Sequence, residues 1–135
     1  MDLKEKIREG IVKHATPLSC KDIEIIQVEP GYAKASLLLD QNVVNLNGFA
    51  HGGILYTLCE IVSGMATYAY GVTNVTMQGN INYMKAGIIG TTAIAECNTV
   101  HKGRKTAISQ VKVLDNNDNL LVTASFTMFL KDTIE

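Results

Sequence analysis

Glu60 is the only charged side chain between Asp40 and Lys85, a stretch of 44 residues, and it sits inside the apolar run GGILYTLCEIVSGMATYAYG. A carboxylate in such surroundings is expected to be paired, hydrogen-bonded or at work, because an unpaired buried charge is costly or is neutralised by a shifted pKa. Three roles are open to it: general base, nucleophile, or a structural carboxylate bonded to nearby backbone or to Thr57. Gly52-Gly53 opens the same apolar segment. Two glycines at a helix start let a ligand approach the backbone closely, and the free N–H groups there, backed by the helix dipole, suit a carbonyl that is becoming an oxyanion. At 1.5 Å rise per residue, Gly52 and Glu60 lie about 12 Å apart along a helix, too far for one chain to bring both onto one substrate atom. Two chains facing each other could do so, with an apolar cleft between them for an acyl chain.

Other candidate constellations are weaker. His51 and Cys59 suggest a base and a thiol nucleophile, yet they too are about 12 Å apart on a helix, so Cys59 reads as packing and His51 as a structural group at the helix start. Asp115, Asn117 and Asn119 resemble the first ligands of a calcium loop, but Leu120 stands where Gly is needed and Phe126 where Glu is needed, so this is a turn. Cys20, Cys59 and Cys97 form no CxxC pair, which supports reduced, mostly buried thiols and neither a disulfide framework nor a zinc site. Asn74-Val75-Thr76 matches a glycosylation triplet without a secretory context. Lys102-Gly103-Arg104-Lys105 is suited to phosphates, although on residue type alone such a turn is more often an ordinary solvated hairpin.

The composition, 47% hydrophobic and 19% charged over 135 residues, predicts one compact domain over residues 1–135 with a real core. A formal net charge of −1 and the absence of like-charge runs argue against nucleic acid as a partner. The start, MDLKEKIREGIVKHA, reads as a short amphipathic helix and not a secretory signal, so the expected location is the cytoplasm. Residues 52–70 are nearly long enough to span a bilayer, but Glu60 at their centre and the lack of a basic flank argue against a membrane segment.

The remaining pattern is one long helix among strands. Ile23–Val28 and Tyr32–Leu39 read as a hairpin turning at Glu29-Pro30-Gly31, and QNVVNLNGFAHGG reads as a loop feeding the helix. Apolar residues at Ile54, Leu55, Leu58, Ile61, Val62 and Met65 make that helix apolar nearly all round, so it is expected to be wrapped as the core. Asn74–Met84, Thr91–Val100, Thr106–Leu114 and Leu120–Leu130 read as strands, expected to pair consecutively and antiparallel across short turns. The fold class is α+β, an antiparallel sheet curled round one long central helix.

Four separated motifs carry a resemblance. Asn45-x-x-Gly48-x-x-His51-Gly52-Gly53, then Leu55–Glu60, then Val75-Thr76 with Asn80–Met84, and finally Lys102–Lys105 resemble the acyl-CoA thioesterases of the hotdog fold, specifically the phenylacetate-degradation subgroup. The resemblance covers Asn45 to the C-terminus. It implies a sheet wrapping the helix, a homodimer with two sites at its interface, and often a homotetramer built as a dimer of dimers. It places the catalytic carboxylate at Glu60, where members have Asp or Glu. It places an Asn near the thioester or the attacking water at Asn45, the polarising N–H at Gly52, and a water-orienting hydroxyl from the partner side at Thr76. His51 and Gly53 would line the substrate, and Lys102, Gly103, Arg104 and Lys105 would meet the nucleotide end of coenzyme A. One departure is Lys85-Ala86 where the family often has Arg-Pro.

The activity so implied is hydrolysis of an acyl-CoA thioester to free acid and coenzyme A, with Glu60 as base or nucleophile, no metal, and no cofactor beyond the coenzyme A of the substrate. Two alternatives share the fold. A hydroxyacyl-thioester hydratase or dehydratase uses a His and a carboxylate at a longer, Pro-containing spacing than His51 to Glu60. A non-catalytic acyl-CoA-binding protein has no evident use for a carboxylate in an apolar helix.

Overall fold

The structure, a computed structural model, describes residues 2–13 and 22–134. In chain order these form helix α1 (Leu3–Lys13), strands β1 (Glu24–Glu29) and β2 (Tyr32–Leu38), helix α2 (Gly52–Tyr68), and strands β3 (Val72–Tyr83), β4 (Thr92–Lys102), β5 (Thr106–Asp115) and β6 (Leu120–Thr133). All six strands join one antiparallel sheet in the order β1-β2-β4-β5-β6-β3. Cys20 lies outside the described residues.

Alternation in the strands decides which face the helix meets. On β2 the residues Ala33, Ala35 and Leu37 are buried and their neighbours are not; on β4 the buried set is Ala93, Ala95 and Cys97. These pair across the strands as Ala33 with Cys97, Ala35 with Ala95 and Leu37 with Ala93. Such small side chains form a floor onto which α2 packs closely, pressing Ile54, Leu55, Leu58, Cys59 and Val62 against it. Burying one such leucine, for instance Leu58 at 0% exposure, contributes about 1.5–3 kcal/mol. Helix α1 starts with a reciprocal cap, in which the Glu5 N–H donates to Asp2 Oδ1 at 2.8 Å and the Asp2 N–H to Glu5 Oε2 at 3.3 Å, and its Ile7 packs on the core.

Two expectations need correction. Strand β3 does not pair with β4; it pairs with β6 and forms one edge of the sheet. The segment after Tyr83 is therefore a crossover rather than a hairpin turn. Ala50 N–H donates to Gly87 O, Phe49 bridges to Ile88, and Gly90 N–H donates to Leu39 O, so the crossover is tied to the loop before α2 and delivers β4 beside β2. Gly87 has no room for a side chain there, since a Cβ would lie 2.9 Å from Leu39 Cδ1.

The second correction concerns α2. The sheet covers only part of the helix, and a stripe running through Gly53, Thr57, Glu60, Ile61, Gly64 and Tyr68 is left partly or fully exposed. Apolar character all round therefore marks a helix with one face on its own sheet and another left partly open.

Candidate active site

The loop before α2 is built by Asn45. Its Oδ1 accepts the N–H groups of Asn47 (2.9 Å) and Phe49 (3.1 Å), while Asn45 N–H donates to Phe49 O at 2.7 Å and Gly48 N–H to Asn45 O at 3.1 Å. Gly48 takes φ +84, a conformation that side chains disfavour. With Oδ1 used twice by the backbone, the part of the Asn45 side chain left for a ligand is the Nδ2 donor.

His51 is the N-cap of α2 by position, but its side chain makes no capping bond and is exposed, so the expected structural role at the helix start is not what its ring does. Ile54 and Leu55 N–H both donate to His51 O. The Gly52 and Gly53 N–H groups are left without an acceptor among the described residues, as the first N–H groups of an uncapped helix must be. The Tyr83 hydroxyl at the end of β3 donates to Gly52 O at 2.6 Å, and a Cβ at Gly52 would come within 3.1 Å of the Tyr83 ring. Burial, with Cys59 and Tyr56 nearby, raises the Tyr83 phenol pKa. Asn45, Phe49, Gly52, Leu55, Tyr83 and Lys85 line a cleft of 330 Å³. Lys85, in the crossover, is held at its mouth by Asn119 Oδ1 at 3.3 Å. A larger hollow of 430 Å³ lies on the outer face of the sheet among Asn80, Asn82, Asn98 and Gln110; neither Glu60 nor any helix-start residue lines it, so the smaller cleft is the candidate site.

Glu60 is not in that cleft. It lies partly exposed on the open stripe of α2, and its carboxylate has no hydrogen bond or ion pair among the described residues. The expected structural bond to Thr57 is absent because Thr57 Oγ1 donates to its own helix, at Gly53 O, 2.8 Å away. Partial exposure also removes the burial cost that sequence context implies, since water reaches the group. Strand β3 runs back along α2: Asn74 Nδ2 donates to Gly64 O at 3.3 Å, Gly79 packs on the Tyr56 hydroxyl, and Tyr83 meets Gly52. Glu60 lies between Tyr56 and Gly64, so the strand residues level with it fall between Asn74 and Gly79, the part of β3 that holds Thr76. Thr76 Oγ1 faces Met128 Sδ at 3.7 Å, a weak acceptor.

The basic turn Lys102–Lys105 joins β4 to β5, with Gly103 N–H donating to Thr106 O at 2.8 Å. Lys102 Nζ lies 5.2 Å from the centre of the Tyr70 ring, just past the C-terminal end of α2. A 17-residue helix is about 25 Å long. The chain thus gathers Asn45, His51, Gly52 and Gly53 at one end of α2, Glu60 and Thr76 at its middle, and the basic turn at the other end.

Cys59 and Cys97 are fully buried, and burial pushes the Cys59 thiol up to about 12, which fits packing and not nucleophilic chemistry. Asp115 accepts the N–H groups of Asn117 (2.8 Å) and Asn119 (2.9 Å), which makes 115–119 the expected turn. Among the described residues no group of three or more His, Cys, Asp or Glu side chains converges, and no helix is long and apolar enough to cross a membrane. Tyr83 and Lys85 also line the cleft; in the sequence they figure only within the Asn80–Met84 motif and as the departure at Lys85-Ala86, with no site role assigned to either.

The sequence pattern of the thioesterase superfamily matches residues 47–122. Acyl-coenzyme A thioesterase PaaI of Escherichia coli is 24% identical over 93 residues, 69% of this chain and 66% of its own. Among solved structures, smu.793 from Streptococcus mutans bound to acetyl CoA matches with a TM-score of 0.84 and 31% identity, over 90% of this chain and 98% of that one. A hypothetical thioesterase protein from Streptococcus pneumoniae with coenzyme A matches with a TM-score of 0.83 and 31% identity, over 85% and 93%. Mutant structures under the same description change one aspartate or one threonine to alanine. The six-stranded antiparallel sheet with its long helix is the hotdog fold, and the chain belongs to the thioesterase superfamily.

Proposed function

We propose that this protein hydrolyses the thioester of an acyl-coenzyme A in sites that two copies of the chain build together. The observation that carries this reading is the placement of Glu60, a carboxylate without a partner among the described residues, on the open stripe of α2 and away from the free N–H groups at the helix start. A two-fold contact across the β3 edge would set two α2 helices antiparallel, so that the start of one faces the middle of the other. That edge carries Val75 (49% exposed) and Met77 (58% exposed), and a long unpaired strand with apolar side chains is a natural seam between subunits. The same symmetry brings the partner's basic turn toward the cleft at Gly52, where coenzyme A phosphates would lie.

Two features of the relatives support the reading. The streptococcal structures hold acetyl CoA or coenzyme A. The aspartate and threonine altered in the pneumococcal protein stand as far apart in that chain as Glu60 and Thr76 do here.

In the reaction, the Gly52 N–H and the helix dipole draw charge onto the thioester oxygen, and the Asn45 Nδ2 donor orients the thioester. Glu60 of the other subunit takes a proton from water as the water oxygen bonds to the carbonyl carbon; the C–S bond then breaks and the proton passes to the leaving thiolate. Alternatively Glu60 attacks the carbonyl itself, coenzyme A leaves, and water hydrolyses the mixed anhydride to return the carboxylate. Thr76 orients the water or the carboxylate. Turnover of a panel of acyl-CoA thioesters, read by release of free thiol, tests the reading. Hydrolysis of at least one member is expected; binding of the whole panel without turnover would favour an acyl-CoA-binding protein, and hydration of an enoyl member would favour a hydratase.

A further inference from the structure

We infer that Tyr83 is a positioning residue for the oxyanion donor: its hydroxyl, bonded to the Gly52 carbonyl, fixes the helix start, and with it the Gly52 N–H, against the cleft. This inference rests on the hydrolase reading and adds a residue to it.

Gly52 carries both the N–H at the start of α2 and the carbonyl that Tyr83 meets. A carbonyl in the first turn of a helix already accepts the N–H four residues on, and Tyr83 adds a second bond to the same oxygen at 2.6 Å. A second bond to that carbonyl holds Gly52 in one orientation and so fixes the direction in which its own N–H points. The Gly52 N–H has no acceptor among the described residues, and Gly52 lines the cleft. The glycine itself makes the contact possible, because a Cβ at Gly52 would lie 3.1 Å from the Tyr83 ring and hydroxyl. Tyr83 is in turn held by β6 through its pairing with Val122, a fully buried strand residue, so the donor is referenced to the sheet and not to the mobile tip of a loop. A purely structural tyrosine would need neither the open N–H nor the place in the cleft wall.

The test compares wild-type protein, Tyr83→Phe and Glu60→Gln on the best thioester substrate. Tyr83→Phe keeps the ring and removes the donor. The expected result is a fall in kcat of roughly 5- to 20-fold with KM within about twofold, a fraction of the about 100-fold or more lost when an oxyanion donor itself is removed. In the Glu60→Gln background, where bound thioester persists, adding Tyr83→Phe should move the thioester carbonyl stretch back toward its frequency in solution. Replacement of Tyr83 by 3-fluorotyrosine, a stronger donor of nearly the same size, should hold or raise kcat, and serves if Tyr83→Phe folds poorly. Wild-type kcat in Tyr83→Phe, or an unmoved carbonyl stretch, beside an inactive Glu60→Gln would overturn the role of Tyr83 alone. Wild-type turnover by Glu60→Gln would instead overturn the hydrolase reading beneath it.

Discussion

Gly52 and Glu60 lie on one face-sharing helix yet about 12 Å apart along its axis, with the first at the wall of a cleft and the second outside it. The separation is fixed by helix geometry and no side-chain rotation closes it. A carbonyl polarised at one end therefore needs a carboxylate from elsewhere, and in the proposed reading a second copy of the same helix, run antiparallel, would supply it.

Glu60→Gln keeps the size and hydrogen-bonding shape of the side chain and removes the base or nucleophile. Thioester kcat should fall by about 100-fold or more, while the thermal midpoint changes little, since Glu60 makes no hydrogen bond or ion pair among the described residues whose loss would destabilise the fold. Glu60→Asp separates the two mechanisms: partial activity favours a carboxylate acting through water, and near-complete loss favours direct attack.

Arg104→Ala should raise KM for acyl-CoA with little change in kcat, because an exposed cation that meets phosphates contributes to binding alone. The effect should shrink on a pantetheine thioester that lacks the nucleotide. Equal losses on both substrates would make the turn a structural hairpin.

Asn45→Asp retains an oxygen for the N–H groups of Asn47 and Phe49 and so preserves the loop, but it replaces the Nδ2 donor by an acceptor. Folding, read by circular dichroism, should be intact and kcat reduced by roughly 10-fold or more. Undiminished turnover would mean that the loop, and not the amide donor, is what Asn45 provides.

In a Cys20→Ser background, iodoacetamide at pH 8 should leave Cys59 and Cys97 unlabelled and thioester turnover unchanged. Both thiols are fully buried, and with the Cys59 pKa near 12 only about one molecule in ten thousand would carry the thiolate. Rapid labelling with loss of activity would restore a nucleophilic role to Cys59.

Much of this architecture is legible in the residues. Two-residue alternation marks β2, β4, β5 and β6, and Glu29-Pro30-Gly31 marks the first turn, where Gly31 takes φ +80. Strand order is not legible, because the pairing of β3 with β6 depends on a crossover pinned by Gly87 and Leu39, residues whose contacts are distant in sequence. The exposure of Glu60 is hidden for a related reason: an apolar helix looks the same whether its second face meets its own sheet or another subunit. The double use of Asn45 Oδ1 and the bond from Tyr83 to Gly52 are equally invisible, since neither residue type nor spacing announces which atom of a polar group the backbone will claim.

The proposed sharing of the site between subunits is tested most directly by complementation. Glu60→Gln removes one half of the site and Gly52→Val, whose side chain would collide with Tyr83, blocks the other. Each variant alone should be nearly inactive. After subunit exchange in an equal mixture, half of the dimers are mixed and each holds one intact site, so thioester hydrolysis should recover to about a quarter of the wild-type rate. No recovery in mixtures whose mixed dimers are verified by native mass spectrometry, or full activity in a monomer, would contradict the account.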